Sequence, residues 1–350
     1  MKSEKPVVSV IMPVFNTPAS ILKEAVDSIL KQTFRNFEFI IIDDGSANEV
    51  KDYLQQLTDP RIRLIRNETN IGITKSLNIG FQAARGKYIA RMDSDDISLP
   101  SRFEIQYAIM EAHPDAFVCG AGAERHGTES GVIPCKDMDM EWYRVNLLFG
   151  NPGPVHPTAF FNHELLVKHH ILYDETLVYA QDYGMWDQIS RIGSILFLDK
   201  TLLKFRYHTN RVSVIHRELQ MRCDRMIQGK MLTELMGPIT DAELEMHYTH
   251  SLHYFPDAVM TSEINQWYRR IIKANKNKQI YNHKKLKRKI ETAKTILIQN
   301  SCAYEKSSIK KVILYVRYYP FLSVAIRKTK TALLKLSLVK LLHDALKKSK

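Results

Sequence analysis

Three times in the first hundred residues a short apolar run breaks off at polar residues and gives way to a stretch of helical periodicity; a fourth run follows. Val7–Val14 ends at Phe15-Asn16, and the stretch after Pro18 spaces Ile21, Leu22, Ala25, Ile29 and Leu30 as a helix does. Residues 37–42 stop at Asp43-Asp44-Gly45-Ser46 and precede a helical stretch over 49–57. Residues 62–65 precede a third, over 74–84, and residues 88–92 stop at Asp93. Strands and helices alternating over such short connections imply parallel strands joined by right-handed crossovers. Ligands of such open sheets gather beyond the carboxyl ends of the strands. Here those ends carry Asn16, Asp43, Asp44, Asn67 and the run Asp93–Asp96, so polar residues collect on one rim.

The pattern is mixed from about residue 100. Helices are expected over 100–112, 138–149 and 183–192, with Asp182 at the N-cap of the last. Strands are expected over 116–123, 195–197 and 202–207, and mainly helix beyond 214. Residues 150–157 form a Gly/Pro/His-rich loop, a kind that often carries function. The four cysteines are scattered without a CxxC pair, which argues against a zinc site or disulfide framework and fits a reducing compartment. The stretch VVSVIMPVF lacks the features of a secretion signal, and no run approaches the roughly 18 apolar residues of a spanning helix.

A strand ending in Asp-Ser-Asp-Asp crowds carboxylates that repel one another and raise one another's pKa. A divalent cation relieves that conflict, and hard oxygen ligands suit Mg2+ or Mn2+. The plainer alternative is a solvated turn; for Asp182 it is a simple helix cap.

Four segments in this order, SVIMPVFN, FEFIIIDDGS, NIGITKSLNIGFQAARGKYIARMDSDD and YAQDYGMW, resemble the bacterial family 2 glycosyltransferases of GT-A fold, over roughly residues 6–215. The resemblance implies an α/β fold, a mostly parallel, Rossmann-like sheet flanked by helices, to which the periodicity and charge of the sequence add a mainly helical, basic C-terminal extension. It divides the chain into a catalytic domain over 1–215, with a nucleotide-sugar half to about 100 and an acceptor half after it, and a region over 216–350. It places Pro13, Phe15 and Asn16 along the nucleotide pocket and Asp44 against the uracil ring. Asn70, Gly72, Lys75 and Asn78 run under the nucleotide, Asp93 lies near the ribose with Ser94 beside it, and Asp95 is the metal ligand. Asp96 falls behind the metal or on the acceptor side. Asp182 is the catalytic base, although Gln181 stands where many relatives have Glu. The donor implied is a nucleotide-sugar, most simply a UDP-sugar. The acceptor implied is a glycan or lipid-linked glycan of bacterial surface polysaccharide or lipopolysaccharide, met at the cytoplasmic face of the membrane.

Outside those segments, His208 in FRYHTNRVS is a candidate metal or diphosphate contact, with Arg206 and Arg211 nearby. His156 and Trp186 are candidates for the acceptor side, with a merely solvated loop position the alternative for His156 and core packing an equal reading for Trp186. The rival readings are a sugar nucleotidyltransferase, for which PVFNTP lacks the Gly-rich phosphate loop, and a non-catalytic nucleotide or nucleic-acid binder. Retention of Asp44, Asp95 and Asp182 together weighs against the latter.

Charge separates the chain. Residues 1–268 carry 27 basic and 35 acidic side chains, whereas residues 269–350 carry 23 and 3, a net charge of +20. Such a region seeks an anionic partner. Residues 309–319 and the amphipathic stretch 321–348 fit a membrane interface. Packing on the core is the alternative, and no nucleic-acid module accompanies the charge.

Overall fold

The computed structural model describes residues 5–208, 216–251, 259 and 261–304. They form two compact units, residues up to 147 with 151–227, and residues 148–150 with those from 228 onward.

In the first unit β1 (Val8–Val14), β2 (Phe37–Asp43), β3 (Ile62–Arg66) and β4 (Tyr88–Arg91) pair in parallel in the order β3-β2-β1-β4. The crossovers are α1 (Ala19–Leu30), α2 (Asn48–Gln55) and α3 (Ile73–Ala83). β1, β2 and β4 are mostly apolar because both faces are covered, whereas the edge strand β3 is only partly buried. On one face Val8, Val10, Met12 and Val14 join Leu22, Ala25, Val26 and Ile29 of α1 in a single core. On the other, α3 lies so close that a Cβ on Gly80 would sit 2.5 Å from Cγ2 of Ile11.

Beyond β4 follow β5 (Ile97–Ser98), α4 (Arg102–Ala112), β6 (Ala116–Gly127), β7 (Gly131–Ile133) and α5 (Met140–Leu147). After a 3-10 turn, His156–Thr158, come β8 (Phe160–Asn162), α6 (His163–Lys168), α7 (Gln181–Ile192) and β9 (Ser194–Tyr207). β8 runs antiparallel to both β4 and β6 and joins the parallel half to a mixed half, in the order β3-β2-β1-β4-β8-β6-β9-β5. β9 is parallel to β6 and antiparallel to β5, and β7 pairs with β6. The chain thus has the α/β architecture expected, with its parallel strands concentrated in the first hundred residues.

Several elements depart from the sequence reading. β5, β7, β8 and α6 are too short for a periodicity to show. β9 is one strand where two were expected: its pairing with β6 slips between Leu198 and Thr201, and the Asp199-Lys200 irregularity reads as a break. α7 begins at Gln181 after Ala180, so Asp182 lies inside the first turn instead of at the N-cap.

In the second unit, the later part of α8 (Arg217–Met236) is followed by α9 (Asp241–Thr249), α10 (Ser262–Lys278) and α11 (His283–Tyr304). Thr240 and Glu243 close a capping box at the start of α9. Leu232, Leu235, Tyr248, Ile264, Trp267, Ile271, Leu286, Ile290 and Leu297 are buried there. His247 accepts from Trp267 Nε1 at Nδ1 (3.0 Å), so its Nε2 carries the proton donated to the carbonyl of Leu148 (2.8 Å). Among the described residues no helix is long and apolar enough to cross a membrane. The stretches 309–319 and 321–348, and Arg211, lie outside the described residues.

The turn after β2 fixes the rim. Gly45 has φ +74°, and a Cβ there would fall 2.7 to 2.9 Å from backbone atoms of Thr69 and Asn70. Gly45→Ala should therefore destabilise the fold by about 1–3 kcal/mol, read as a lower denaturant midpoint.

Candidate active site

The carboxyl ends of β1, β2 and β4 are stitched together by their own polar residues. Asn16, with φ +50°, donates its N–H to Ser46 Oγ (3.1 Å) and accepts from the N–H of Ala47 at Oδ1 (2.9 Å). Thr17 Oγ1 and Ser94 Oγ are 2.6 Å apart. Asp43 turns inward, accepting from the N–H of Ser46 (2.9 Å) and pairing with Arg66. Pro13 is half-buried and Phe15 is exposed on this rim.

Asp44 is buried and orders the segment beneath the rim. Its Oδ1 accepts from Asn67 Nδ2 (2.8 Å) and the N–H of Ile71 (3.0 Å), and its Oδ2 from the N–H of Gly72 (2.9 Å). Gly72 takes φ +93° to open α3, and Asn70 Oδ1 caps the same N–H (2.9 Å). Lys75 is exposed on the first turn of α3. Asn78 is turned elsewhere: both its donors go to Tyr173 O (3.0 Å) and Glu175 Oε1 (3.1 Å), and its Oδ1 accepts from the N–H of Tyr173 (3.0 Å). It clamps the loop before α7 to the segment that the resemblance places under the nucleotide.

The run after β4 divides by burial. Asp93, Asp95 and Asp96 each offer an oxygen within 4.8 Å of the others. Both oxygens of Asp93 are held by the Arg91 guanidinium, at 2.6 and 2.5 Å. Burial nevertheless pushes the Asp93 carboxyl above the ordinary range, opposed by Arg91 and reinforced by Asp95. Asp96 is fully buried; its Oδ1 accepts from the N–H of Arg206 (2.8 Å) and its Oδ2 has no protein partner. Burial, then Asp93 and Asp95, drive its carboxyl well above the ordinary range. Only Asp95 stands about a third exposed, with His208 Nε2 at 3.2 Å from its Oδ2. This donor set fits a hard divalent cation: carboxylate oxygens, one imidazole and a buried carboxyl oxygen without a partner. Arg206, a candidate for the diphosphate, gives its Nε to the carbonyl of Asp95 (2.8 Å) and pairs with Glu24.

Asp182 arrives from the other half of the sheet. It is half-buried on the first turn of α7, where the N–H of Tyr183 faces its carboxylate. Asn151 Nδ2 donates to its Oδ2 (2.9 Å). Burial raises its pKa, and those hydrogen bonds and the charge of Arg91 oppose the rise. Asp182 and Asp93 are close enough that the charge of one acts on the other. A base candidate and the carboxylate cluster thus share one electrostatic field.

Two acceptor-side candidates are corrected by burial. Trp186 is fully buried, stacked on Phe161 with ring centroids 5.9 Å apart, and has no free face for a sugar. His156 is buried too, its Nε2 2.8 Å from the Tyr173 hydroxyl, and burial pushes its pKa well down, leaving the ring neutral. Asp96 likewise cannot face an acceptor.

Sequence reasoning passed over Arg91, Arg102 and Asn151. Arg91 was legible in principle, because a charged residue within the buried run YIAR demands a partner. Arg102 is fully buried and spans Arg91 O (2.8 Å), Ala159 O (3.4 Å) and Gln106 Oε1 (2.9 Å), partners far apart in sequence.

The chain can now be set beside known proteins. Residues 9–163 match glycosyl transferase family 2. An uncharacterized glycosyltransferase of Haemophilus influenzae is 31% identical over 245 residues, covering 67% of this chain and 76% of that one. Another, from Methanocaldococcus jannaschii, is 35% identical over 213 residues, 58% of this chain and 71% of that one. Among solved structures, residues 1–349 of Staphylococcus aureus TarS in complex with UDP-GlcNAc superpose with a TM-score of 0.56 at 18% identity, covering 86% of this chain and 93% of that one. The Pyrobaculum calidifontis mannosyltransferase PcManGT, in complex with GDP-Man and Mn2+, superposes at 0.51 and 14% identity, over 99% and 87%. The two superpositions speak for the fold. The chain belongs to the family 2 glycosyltransferases, which sets the nucleotidyltransferase reading aside.

Because Trp186 is core, Trp186→Ala should cost stability, about 3–5 kcal/mol in equilibrium denaturation. An acceptor-binding defect in a variant of wild-type stability would contradict that assignment.

Proposed function

We propose that the protein is an inverting, metal-dependent transferase that moves a sugar from a UDP-sugar to a hydroxyl of a glycan acceptor. The observation that carries this is the juxtaposition of Asp182, half-buried with a raised pKa, and the carboxylate cluster after β4. On this reading Pro13, Phe15 and Asn16 flank the base, Asp44 holds the segment beneath it, and Asp93 with Ser94 meets the ribose. Lys75 lies where it could offset phosphate charge. TarS supports the choice of uridine by its complex with UDP-GlcNAc, and PcManGT supports a divalent ion by its Mn2+.

Asp182 takes the proton of the attacking hydroxyl as general base. The hydroxyl oxygen forms a bond to the anomeric carbon as the bond from that carbon to the diphosphate oxygen breaks. Displacement by one attack from the face opposite the leaving group inverts the configuration. Asp95 and His208 would hold the cation, which when bound supplies Lewis-acid neutralisation of the departing diphosphate. Asn151 fixes the Asp182 carboxylate, and the two substrates react because one cleft holds both.

The acceptor proposed is a glycan, or lipid-linked glycan, of the bacterial surface, reached at the inner face of the membrane. The net charge of +20 on residues 269–350 supports attachment to an anionic lipid surface. Flotation with anionic liposomes should retain the full chain and lose one lacking residues 309–350.

A panel of nucleotide-sugars, assayed for release of nucleoside diphosphate, tests the reading; release should fall with EDTA and return with MnCl2. Asp182→Asn should reduce transfer by at least about 10³-fold while the donor still binds, and near-normal turnover would end the assignment. The base must be ionised, so activity should fall as pH drops through the raised pKa of Asp182. The acidic limb should lie above the ordinary aspartate range. Asn151→Ala removes a bond that lowers this pKa and should move the limb to higher pH.

A further inference from the structure

Arg91 is the last residue of β4, two positions before Asp93, and its side chain is 3% exposed. A guanidinium buried this deeply must be paired. Its two terminal nitrogens take the two oxygens of Asp93 at 2.6 and 2.5 Å, a forked arrangement that fixes the plane of the carboxylate as well as its place. The fork is itself anchored. The N–H of Arg91 donates to Ala159 O (3.0 Å), and its carbonyl accepts from the fully buried Arg102 (2.8 Å), which also reaches Ala159 O. The end of β4 is therefore held from behind before any ligand arrives. Asp93, by contrast, is a quarter exposed, with burial opposing its charge.

We propose that Arg91 is a positioning residue for the donor: it locks the Asp93 carboxylate in the one orientation that can receive the ribose hydroxyls. The inference rests on the assignment of Asp93 to the nucleotide side. Arg91 touches no substrate itself. Its fork uses one edge of the Asp93 carboxylate and leaves acceptor capacity on the other. Without the fork the carboxylate would rotate, and its repulsion from Asp95 would go unopposed.

The test uses the full-length protein with the nucleotide-sugar that serves it best, in saturating MnCl2. Arg91→Lys keeps the charge and loses the fork; it should raise donor KM at least tenfold and lower kcat less than threefold. A merely structural lesion would instead lower kcat through a smaller active fraction and leave KM unchanged. Arg91→Met and Asp93→Asn should each raise donor KM, and the double variant should be no worse than the poorer single one, because the two side chains act as a unit. Melting curves identify any variant that misfolds, and Arg91→Lys then carries the test. If Asp93→Asn raises donor KM while both Arg91 variants keep the wild-type value, or if the effects multiply, the positioning role is overturned and the assignment of Asp93 stands. If Asp93→Asn leaves donor KM unchanged, the nucleotide assignment falls and the positioning role falls with it.

Discussion

Three carboxylates within 4.8 Å of one another at a strand end set the terms for everything around them. Two unit charges 4 Å apart repel by roughly 4 kcal/mol at an effective dielectric of 20, so the cluster survives folding only with compensation. The protein supplies it from below. Arg91 pairs with Asp93, and Arg102 stands behind Arg91 with its pKa pushed down to about 9 by burial, still charged at neutral pH. Asp96, whose carboxyl is driven well up by burial, accepts the N–H of Arg206. Arg91 thus opposes the cluster's charge from below, which is why a buried arginine ends a strand that is otherwise apolar.

The same constraint explains how the two halves of the sheet share the chemistry. The parallel half delivers loops at the ends of β1, β2 and β4, where polar groups belong to one rim because the strands all point one way. On the proposed function, a base on that rim would lie within the carboxylate cluster itself. Asp182 comes instead from α7, on the mixed half, where the first-turn N–H groups and Asn151 favour a carboxylate. β8 makes this possible: by pairing antiparallel to β4 and β6 it joins the halves into one sheet.

Much of this was legible in the sequence wherever a periodicity ran long enough. β1 to β4 and α1 to α3 emerge from apolar spacing, and the rim follows from their alternation. Acids at strand and helix ends, Asp43, Asp44, Asp93 to Asp96 and Asp182, stand out against apolar neighbours, while the separate roles of Asp44, Asp95 and Asp182 were implied by the resemblance alone. The losses have physical causes. β5 and β8 are stabilised by sheet partners distant in sequence and β7 by its pairing with β6, none of them by its own two or three residues, and β9 hides a strand behind Asp199-Lys200. Trp186 and His156 look like surface groups in a list of residues, yet tertiary packing buries both against Phe161 and Tyr173. Asn78 sits in a motif but spends its amide on the Tyr173 loop, a partner 95 positions away.

The division within Asp-Ser-Asp-Asp has a consequence for the cation. Order along the chain does not separate the three aspartates; burial does. Asp93 is paired with Arg91 and a quarter exposed, Asp96 is shut in against Arg206, and Asp95, beside His208, is the most exposed of the three. With Asp93 paired to Arg91 and Asp96 buried, Asp95 and His208 would be too few donors for a tight cage around a small divalent ion, which would keep other positions for water and phosphate. The nucleotide's own phosphates would complete the shell. On the proposed function, cation and donor would be each other's ligands, and the rim proposed to hold the nucleotide would determine how well the metal is held.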